Sequence, residues 1–351
     1  MFLPVTRRDG NGDADRAVGR RSRALRIAGL ALAGALVMGV GAAGWAYRHL
    51  NNNITSVDIN NALGDNRPPR PAVTPSSSAS ALPSGALNIL VLGSDSRSGE
   101  ENRRLGGGDS SGARSDTAMV VHLDAGRTGA TVVSIPRDTL VTRPSCPRPS
   151  GGSTAVAYGS MFNNAYAVGG PVCAVKTVEA VTGVRMDHYI EIDFSGFAKL
   201  VDVLGGVTVT TDEDIADDDS HLHLKAGTHH LDGTRALALA RTRHGIGDGS
   251  DLGRIGLQQK LVKALLDQIA AQDLLTDPAK LYRVADAVTA GLTTDTGLDS
   301  LGELTRLGQS LKDLSASAVR TVTMPVVRAP SDPNRVVAEE PQARELWESL
   351  R

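Results

Sequence analysis

From residue 87 onward, short β-branched apolar runs alternate with helix-length segments, and this alternation confines the chain to a sheet layered with helices. Residues 87–92 (LNILVL), 118–123 (AMVVHL) and 131–135 (TVVSI) read as strands buried on both faces. Residues 171–182 read as a helix, with Pro171 in its first turn and Gly183 as its stop. Residues 188–194 alternate as a strand, and Ser195 is placed as the cap of a helix carrying Phe197, Leu200, Val201 and Leu204. A strand follows at 207–211, with helices at 234–240 and 254–271. Leu298, Leu301, Leu304, Leu307, Leu311 and Leu314 mark a further helix with a core-facing leucine stripe, then come a strand at 320–326 and a last helix at 340–350. The expected fold class is α/β: a mixed central sheet between helical layers (α/β/α), preceded by a single N-terminal transmembrane helix.

That helix is placed at residues 27–47, an uncharged stretch long enough for a bilayer core. Arg16, Arg20, Arg21, Arg23 and Arg26 precede it, so the positive-inside rule keeps residues 1–26 in the cytoplasm and exports the remainder. A cleaved signal peptide is the competing reading, with Gly41, Ala42 and Ala43 as small residues near its end. Residues 48–85 read as a linker region, with a Pro/Ser-rich spacer from 67 to 85. The expected localisation is the cell membrane, single-pass, with the globular part extracytoplasmic. A catalytic domain is expected over 86–272, and 273–351 as a continuation packing on the same domain. The formal net charge of −2 supplies no domain-wide basic excess, which argues against nucleic acid as a partner.

Cys146 and Cys173 are the only cysteines and lie in the exported part, so they are expected to form a disulfide, with two buried thiols as the alternative. His221, His223, His229 and His230 fall near residues 217–219, all aspartate, in what reads as an exposed loop. Zinc binding is one reading of it, although the spacing of helical zinc motifs is absent. The triple glycine at 106–108 lacks a Walker ending and reads as a flap.

Positive charge is concentrated between Arg241 and Gln258, where Arg241, Arg243 and Arg254 surround a glycine-rich turn. Arginine matches phosphate oxygens with a planar fork of donors. A helix starting near Asp251 would align Asp251, Arg254 and Gln258 on one stripe. Solvated surface ion pairs are the bland alternative. Further charged clusters follow or precede the predicted strands: Asp95 and Arg97; Arg114 and Asp116; Arg137 and Asp138. Two carboxylates at neighbouring strand ends, Asp95 and Asp116, suit Mg²⁺ (or Mn²⁺), whose other positions go to water and substrate phosphate.

The succession GSDSR, RSDT, SIPRD, FNNAYAVGGP, a helix ending VTG, DGTRALALARTRH and SDLGRIGLQQ resembles the LytR-CpsA-Psr family of cell-wall glycopolymer ligases over residues 87–271. The resemblance implies an α/β/α domain with an apolar pocket for a polyprenyl chain. It also implies a Mg²⁺-assisted phosphotransferase that moves a glycopolymer from a polyprenyl-diphosphate carrier to the C6 hydroxyl of N-acetylmuramic acid in peptidoglycan. The implied partners are that lipid-linked glycopolymer, peptidoglycan and the cytoplasmic membrane. Matched by motif, Asp95 and Asp116 are the metal carboxylates, and Arg114, Arg137, Arg241, Arg243, Arg254 and Gln258 the diphosphate-binding set. Arg137, Asp116, Arg254 and Asp251 form the catalytic group, Asp251 as a supporting or base-like carboxylate. Asp116 and Asp138 are candidate bases for the acceptor hydroxyl. Many relatives carry Lys-Ile-Asn where this chain has Met161-Phe162-Asn163, and Arg97 or Lys176 is a candidate to replace the missing cation. Hydrolysis of the same lipid-linked diphosphate, or a non-catalytic envelope regulator, are the competing functions.

Overall fold

The computed structural model describes residues 38–69, 85–94, 115–148, 151–243, 251–272 and 277–351. It divides into two compact units, Met1–His49 and Leu50–Arg351. In the first, residues 38–49 are helical, and the Trp45 and His49 rings stack one turn apart with centroids 5.3 Å apart. Among the described residues no helix is long and apolar enough to cross a membrane; residues 27–37 of the expected span lie outside them.

The second unit opens with β1 (Thr55–Val57) and α1 (Ile59–Leu63), where a linker was expected. Ile59 is buried, and Val57 and Leu63 pack on the same core, so residues 55–63 are held by apolar contacts and belong to the folded unit. Three strands follow: β2 (Leu87–Ser94), β3 (Ser115–Leu123) and β4 (Ala130–Ser134). Next come the hairpin β5 (Leu140–Arg143) with β6 (Ala157–Met161), α2 (Asn164–Thr182), β7 (His188–Asp193) and α3 (Phe194–Val203). The short strands β8 (Val207–Thr211), β9 (Ile215–Asp217), β10 (Leu222–Leu224) and β11 (Gly227–Leu231) lead into α4 (Gly233–Arg241) and α5 (Asp251–Ala270). The remainder is α6 (Pro278–Ala290), β12 (Leu292–Asp295), α7 (Leu301–Ser310), β13 (Val319–Thr323), β14 (Val326–Ala329), β15 (Asp332–Ala338) and α8 (Gln342–Glu348).

Seven strands form one mixed sheet in the order β1-β12-β7-β2-β3-β4-β13. β7 runs parallel to β2 and β13 parallel to β4, while β2, β3 and β4 form an antiparallel meander. Leu90, Leu92, Val120 and Val133 pack on one face with Val175 and Val178 of α2 and Trp347 of α8. Ile89, Val91 and Val121 meet Leu307, Leu311 and Leu314 on the other. Helices thus cover both faces, as the continuous apolar strands require.

Several boundaries differ from the sequence expectation for identifiable reasons. Asp193, not Ser195, caps α3: its Oδ1 accepts from the Gly196 N–H at 2.7 Å, and the Ser195 hydroxyl donates to the same oxygen. The leucine stripe from 298 to 314 is not one helix. Ser300 caps α7 by accepting from the Glu303 N–H, so Leu298 is buried in the preceding turn, and Leu311 and Leu314 follow the helix end. α2 is kinked at Gly169 and Gly170. Gly170 has φ 62°, and a Cβ on Gly169 would lie 2.7 Å from the Cβ of Cys173, so a side chain fits at neither position. Pro171 then starts the second helical piece, and Gly183 ends it with its N–H on the Glu179 carbonyl.

Candidate functional site

The site gathers where β2 ends, β3 begins and the loop after β4 leaves the sheet. Gly93 pairs with Thr117 and Ser94 with Ser115, so the register shift leaves Asp116 as the extra residue of a bulge. The sequence reading has Asp116 ahead of the strand; the structure places its backbone inside β3. The Asp116 side chain, and all of Asp95, Arg97, Arg114 and the glycine flap, lie outside what the structure describes.

The loop carrying Arg137 is fixed from two sides. Asn163 N–H donates to the Arg137 carbonyl at 3.2 Å and Phe162 N–H to the Thr139 carbonyl at 2.9 Å, so the FNN motif acts here through its backbone. On the other side, Arg137 N–H donates to Asp251 Oδ2 at 3.1 Å, and Arg137 Nε lies 3.4 Å from Asp251 Oδ1. Arg254 also pairs with Asp251 Oδ1. Arg254 is only 2% exposed, so Asp251 sits between two guanidinium groups and holds both. Burial pushes the Asp251 carboxyl above its ordinary value, against the opposing pull of Arg254 and then Arg137.

One turn further along α5, Gln258 donates from Nε2 to Thr117 Oγ1 and to the Ala240 carbonyl, both at 2.9 Å. It thereby ties α5 to the bulged strand and to the end of α4. The stripe Asp251, Arg254, Gln258 therefore exists, and all three side chains face inward. Gln258 also lines an apolar cavity of about 190 Å³ under α3, α4 and α5, walled by Val91, Met119, Phe197, Leu237 and Leu261. Arg241 lies over the Phe194 ring, 5.0 Å from its centroid, and Phe194 is part of the cavity wall. A cation thus sits beside an apolar chamber.

Some of this positioning is invisible in the sequence. Asp217, buried at 1% exposure, accepts the Arg243 N–H at 2.7 Å through Oδ2, and Ser220 and Thr242 share a hydroxyl contact at 2.9 Å. Within the acidic stretch read as an exposed loop, Asp218 and Asp219 are exposed, while Asp217 is buried and anchors the segment after α4. The histidines beside it do not converge. His229 Nε2 contacts the Lys225 carbonyl and His230 Nε2 the Gly205 carbonyl. Among the described residues no group of three or more His, Cys, Asp or Glu could hold a metal ion.

Lys176, a candidate cation of the site, is engaged elsewhere among the described residues. Its ammonium donates to the Ser145 carbonyl at 2.7 Å, beside the cysteines. Cys146 and Cys173 are joined, as expected, and both are fully buried. Arg143 is buried in the same cluster, donating to Thr154 Oγ1 at 2.6 Å and the Ala155 carbonyl at 2.8 Å. Asp138 lies 3.8 Å from Arg137 Nε and 3.4 Å from Arg335 Nη1, which makes it part of an ion-pair chain.

The profile of the LytR_cpsA_psr family matches residues 46–351. The chain is 35% identical over 273 residues to "Probable cell wall biosynthesis protein LcpB" of Corynebacterium glutamicum, covering 75% of this chain and 61% of that protein. It is 33% identical to the polyisoprenyl-teichoic acid–peptidoglycan teichoic acid transferase TagU of Halalkalibacterium halodurans, covering 62% of this chain and 64% of TagU. It thus spans less than two thirds of the length of either relative. Among solved structures, the LytR-Csp2A-Psr enzyme from Actinomyces oris superposes with a TM-score of 0.58 at 25% identity, over 76% of this chain and 90% of that one. With a profile match across most of its length and the same mixed-sheet fold as a solved member, the chain belongs to the LytR_cpsA_psr family.

Proposed function

We propose that this protein is an extracytoplasmic phosphotransferase that moves a glycopolymer from a polyprenyl-diphosphate carrier to the C6 hydroxyl of N-acetylmuramic acid in peptidoglycan. The observation that carries this reading is the α5 stripe, which runs from the Arg137–Asp251–Arg254 group to Gln258 at the wall of an apolar cavity. An isoprenoid diphosphate has the same two halves, an apolar tail and a dianionic head. Arg137 and Arg241 supply forks for the head, Asp251 positions Arg137, and the cavity accepts the start of the tail. Membrane residence through residues 27–47, with the globular unit outside, agrees with a lipid-borne substrate.

A divalent cation, Mg²⁺ or Mn²⁺, fits the donor chemistry at the end of β2. Asp95 follows Ser94 directly, Asp116 is the bulge residue opposite, and the buried Ser94 hydroxyl has no hydrogen-bond partner among the described residues. Asp95 and Asp116 would hold the ion, which would offset charge on the diphosphate. The protein's own part is positioning. The acceptor oxygen forms a bond to the sugar-bearing phosphorus as the bridging bond to polyprenyl phosphate breaks, and the hydroxyl proton passes to a carboxylate, with Asp116 and Asp138 as candidates.

The test is incubation of the purified globular unit with a polyprenyl-diphosphate glycan, peptidoglycan fragments and Mg²⁺, followed by mass analysis. A glycan joined to the fragment through phosphate is the expected product. Free glycan phosphate would make the protein a hydrolase, and unaltered donor would leave it a binding protein.

A further inference from the structure

A second depression opens at the other end of the α5 stripe. It has a volume of about 390 Å³ and lies between the loop after β4 and the β14–β15 hairpin, with Asp138, Asp251, Leu252, Arg328, Asn334 and Arg335 on its walls. We propose that this groove is the acceptor subsite, and that it takes a carboxylate-bearing saccharide strand.

The first argument is axial. Along α5 the order is groove at Asp251, buried Arg254, then Gln258 at the apolar cavity. At a rise of 1.5 Å per residue, Asp251 and Gln258 are separated by roughly 10 Å, which leaves room for a diphosphate between the two openings. In-line transfer puts the incoming hydroxyl opposite the departing group. If polyprenyl phosphate leaves toward the cavity, the acceptor must arrive from the groove side. The second argument is chemical. Asp138, a candidate base, lines the groove, whereas Asp193, the carboxylate that lines the cavity, is engaged in capping α3. The third is charge. Arg335 is committed to Asp138 and Asp332, but Arg328 is exposed and has no carboxylate partner among the described residues. A saccharide bearing lactyl or peptide carboxylates supplies that partner, and a neutral glycan does not.

This inference rests on the phosphotransferase reading, so its test uses binding as well as turnover. The probes are a tetrasaccharide of alternating N-acetylglucosamine and N-acetylmuramic acid, neutral chitotetraose, and geranylgeranyl diphosphate, which carries tail and diphosphate but no sugar. Arg328→Ala and Asn334→Ala should each weaken the muramic-acid tetrasaccharide about tenfold, in Kd and in acceptor KM. Arg328→Lys should recover most of the Arg328→Ala loss, and affinity for geranylgeranyl diphosphate should stay within twofold. Chitotetraose should bind at least tenfold more weakly than the muramic-acid strand and ignore Arg328→Ala. Unchanged tetrasaccharide affinity in both alanine variants overturns the proposal, as does a rise confined to the KM of the lipid-linked donor. If the wild type binds the tetrasaccharide through Arg328 but transfers nothing, the groove stands and the phosphotransferase reading falls.

Discussion

At the scale of single residues, the site depends on guanidinium geometry more than on charge. Arg137 is held through both its backbone N–H and its Nε side by Asp251, and Arg254 is buried against the same carboxylate. A lysine would keep the charge and lose the planar fork, so Arg137→Lys and Arg254→Lys should each lower kcat by about 30- to 1000-fold, equivalent to roughly 2 to 4 kcal/mol. Arg254→Lys should in addition lower stability, because Arg254 is itself buried against Asp251; Arg137→Lys should do so less, since the Arg137 side chain is more exposed and its backbone N–H still donates to Asp251. Arg148, exposed on the Cys146 loop, is a suitable control, whereas Arg143 is not, being built into the buried cluster around Thr154. Steady-state transfer kinetics beside urea denaturation separate the two effects, and near-normal turnover in both lysine variants would refute the bidentate site. The residue types were legible from the sequence because arginine, glycine and aspartate cluster there. That Asp251 serves as a hub for two arginines was not, since Arg137 stands more than a hundred positions away.

Elements deliver these residues through their ends. Asp193 closes β7 and caps α3, and Phe194, the next residue, lies under Arg241 at the cavity wall. Asp193→Ala should therefore cost about 1 kcal/mol through loss of the cap and loosen the Phe194 ring beneath Arg241, seen as a lower denaturation midpoint with a higher KM for the lipid-linked donor. An unchanged midpoint would show that the Ser195 hydroxyl takes over. The kink in α2 has a comparable role. It brings Gly169 against the disulfide, while the residues just ahead of the helix, Phe162 and Asn163, hold the Arg137 loop by backbone donation. Cys146 and Cys173 close a loop of 27 residues, so replacing both with serine should lower the unfolding free energy by about 3 to 4 kcal/mol on the chain-entropy account. Thermal and urea unfolding of the oxidised wild type and the double variant measure it directly, and a difference under 1 kcal/mol would contradict that account.

For the whole molecule, the sheet is complete only with its distant C-terminal strands. β12 inserts between β1 and β7, and β13 adds to the edge at β4, so the region after α5 belongs to the fold and is not an appendage. At the far end of the sheet, His122 Nδ1 contacts Asn88 Oδ1 at 2.7 Å, and Asn88 reaches the Leu350 carbonyl near the C-terminus. Burial lowers the His122 pKa from its ordinary 6.5, with Arg127 acting in the same direction and Asp124 and Asp187 opposing it. The folded state then binds fewer protons than the unfolded chain, so the stability this group contributes is fully present above about pH 6.5 and is lost as pH falls through the lower folded value. His122→Gln, which retains a donor for Asn88, should flatten that acid-side decline. Denaturation midpoints measured from pH 7.5 to 5 would show it, and parallel curves for the two proteins would exclude His122 as the source.

The strand and helix alternation of the central part, the glycine and proline stops around α2, the arginine-rich segment before α5 and the family resemblance were all legible in the residues alone. Each of these is written in residues within a few positions of one another, where hydrophobic period, backbone restriction and side-chain chemistry act locally. Other features arise only from contacts distant in the chain. β1, β12 and the β14–β15 hairpin are too short or too mixed in pattern to announce themselves, and they form because a neighbouring strand or a buried face completes their hydrogen bonds. Asp217 reads as loop acidity until Arg243 is folded onto it, and Gln258, read as a diphosphate ligand, is seen to tie α5 to Thr117 and Ala240 only once they surround it. Such roles depend on partners distant in the chain, and burial, which gives those polar contacts their weight, exists only once the sheet and its helices have closed over them.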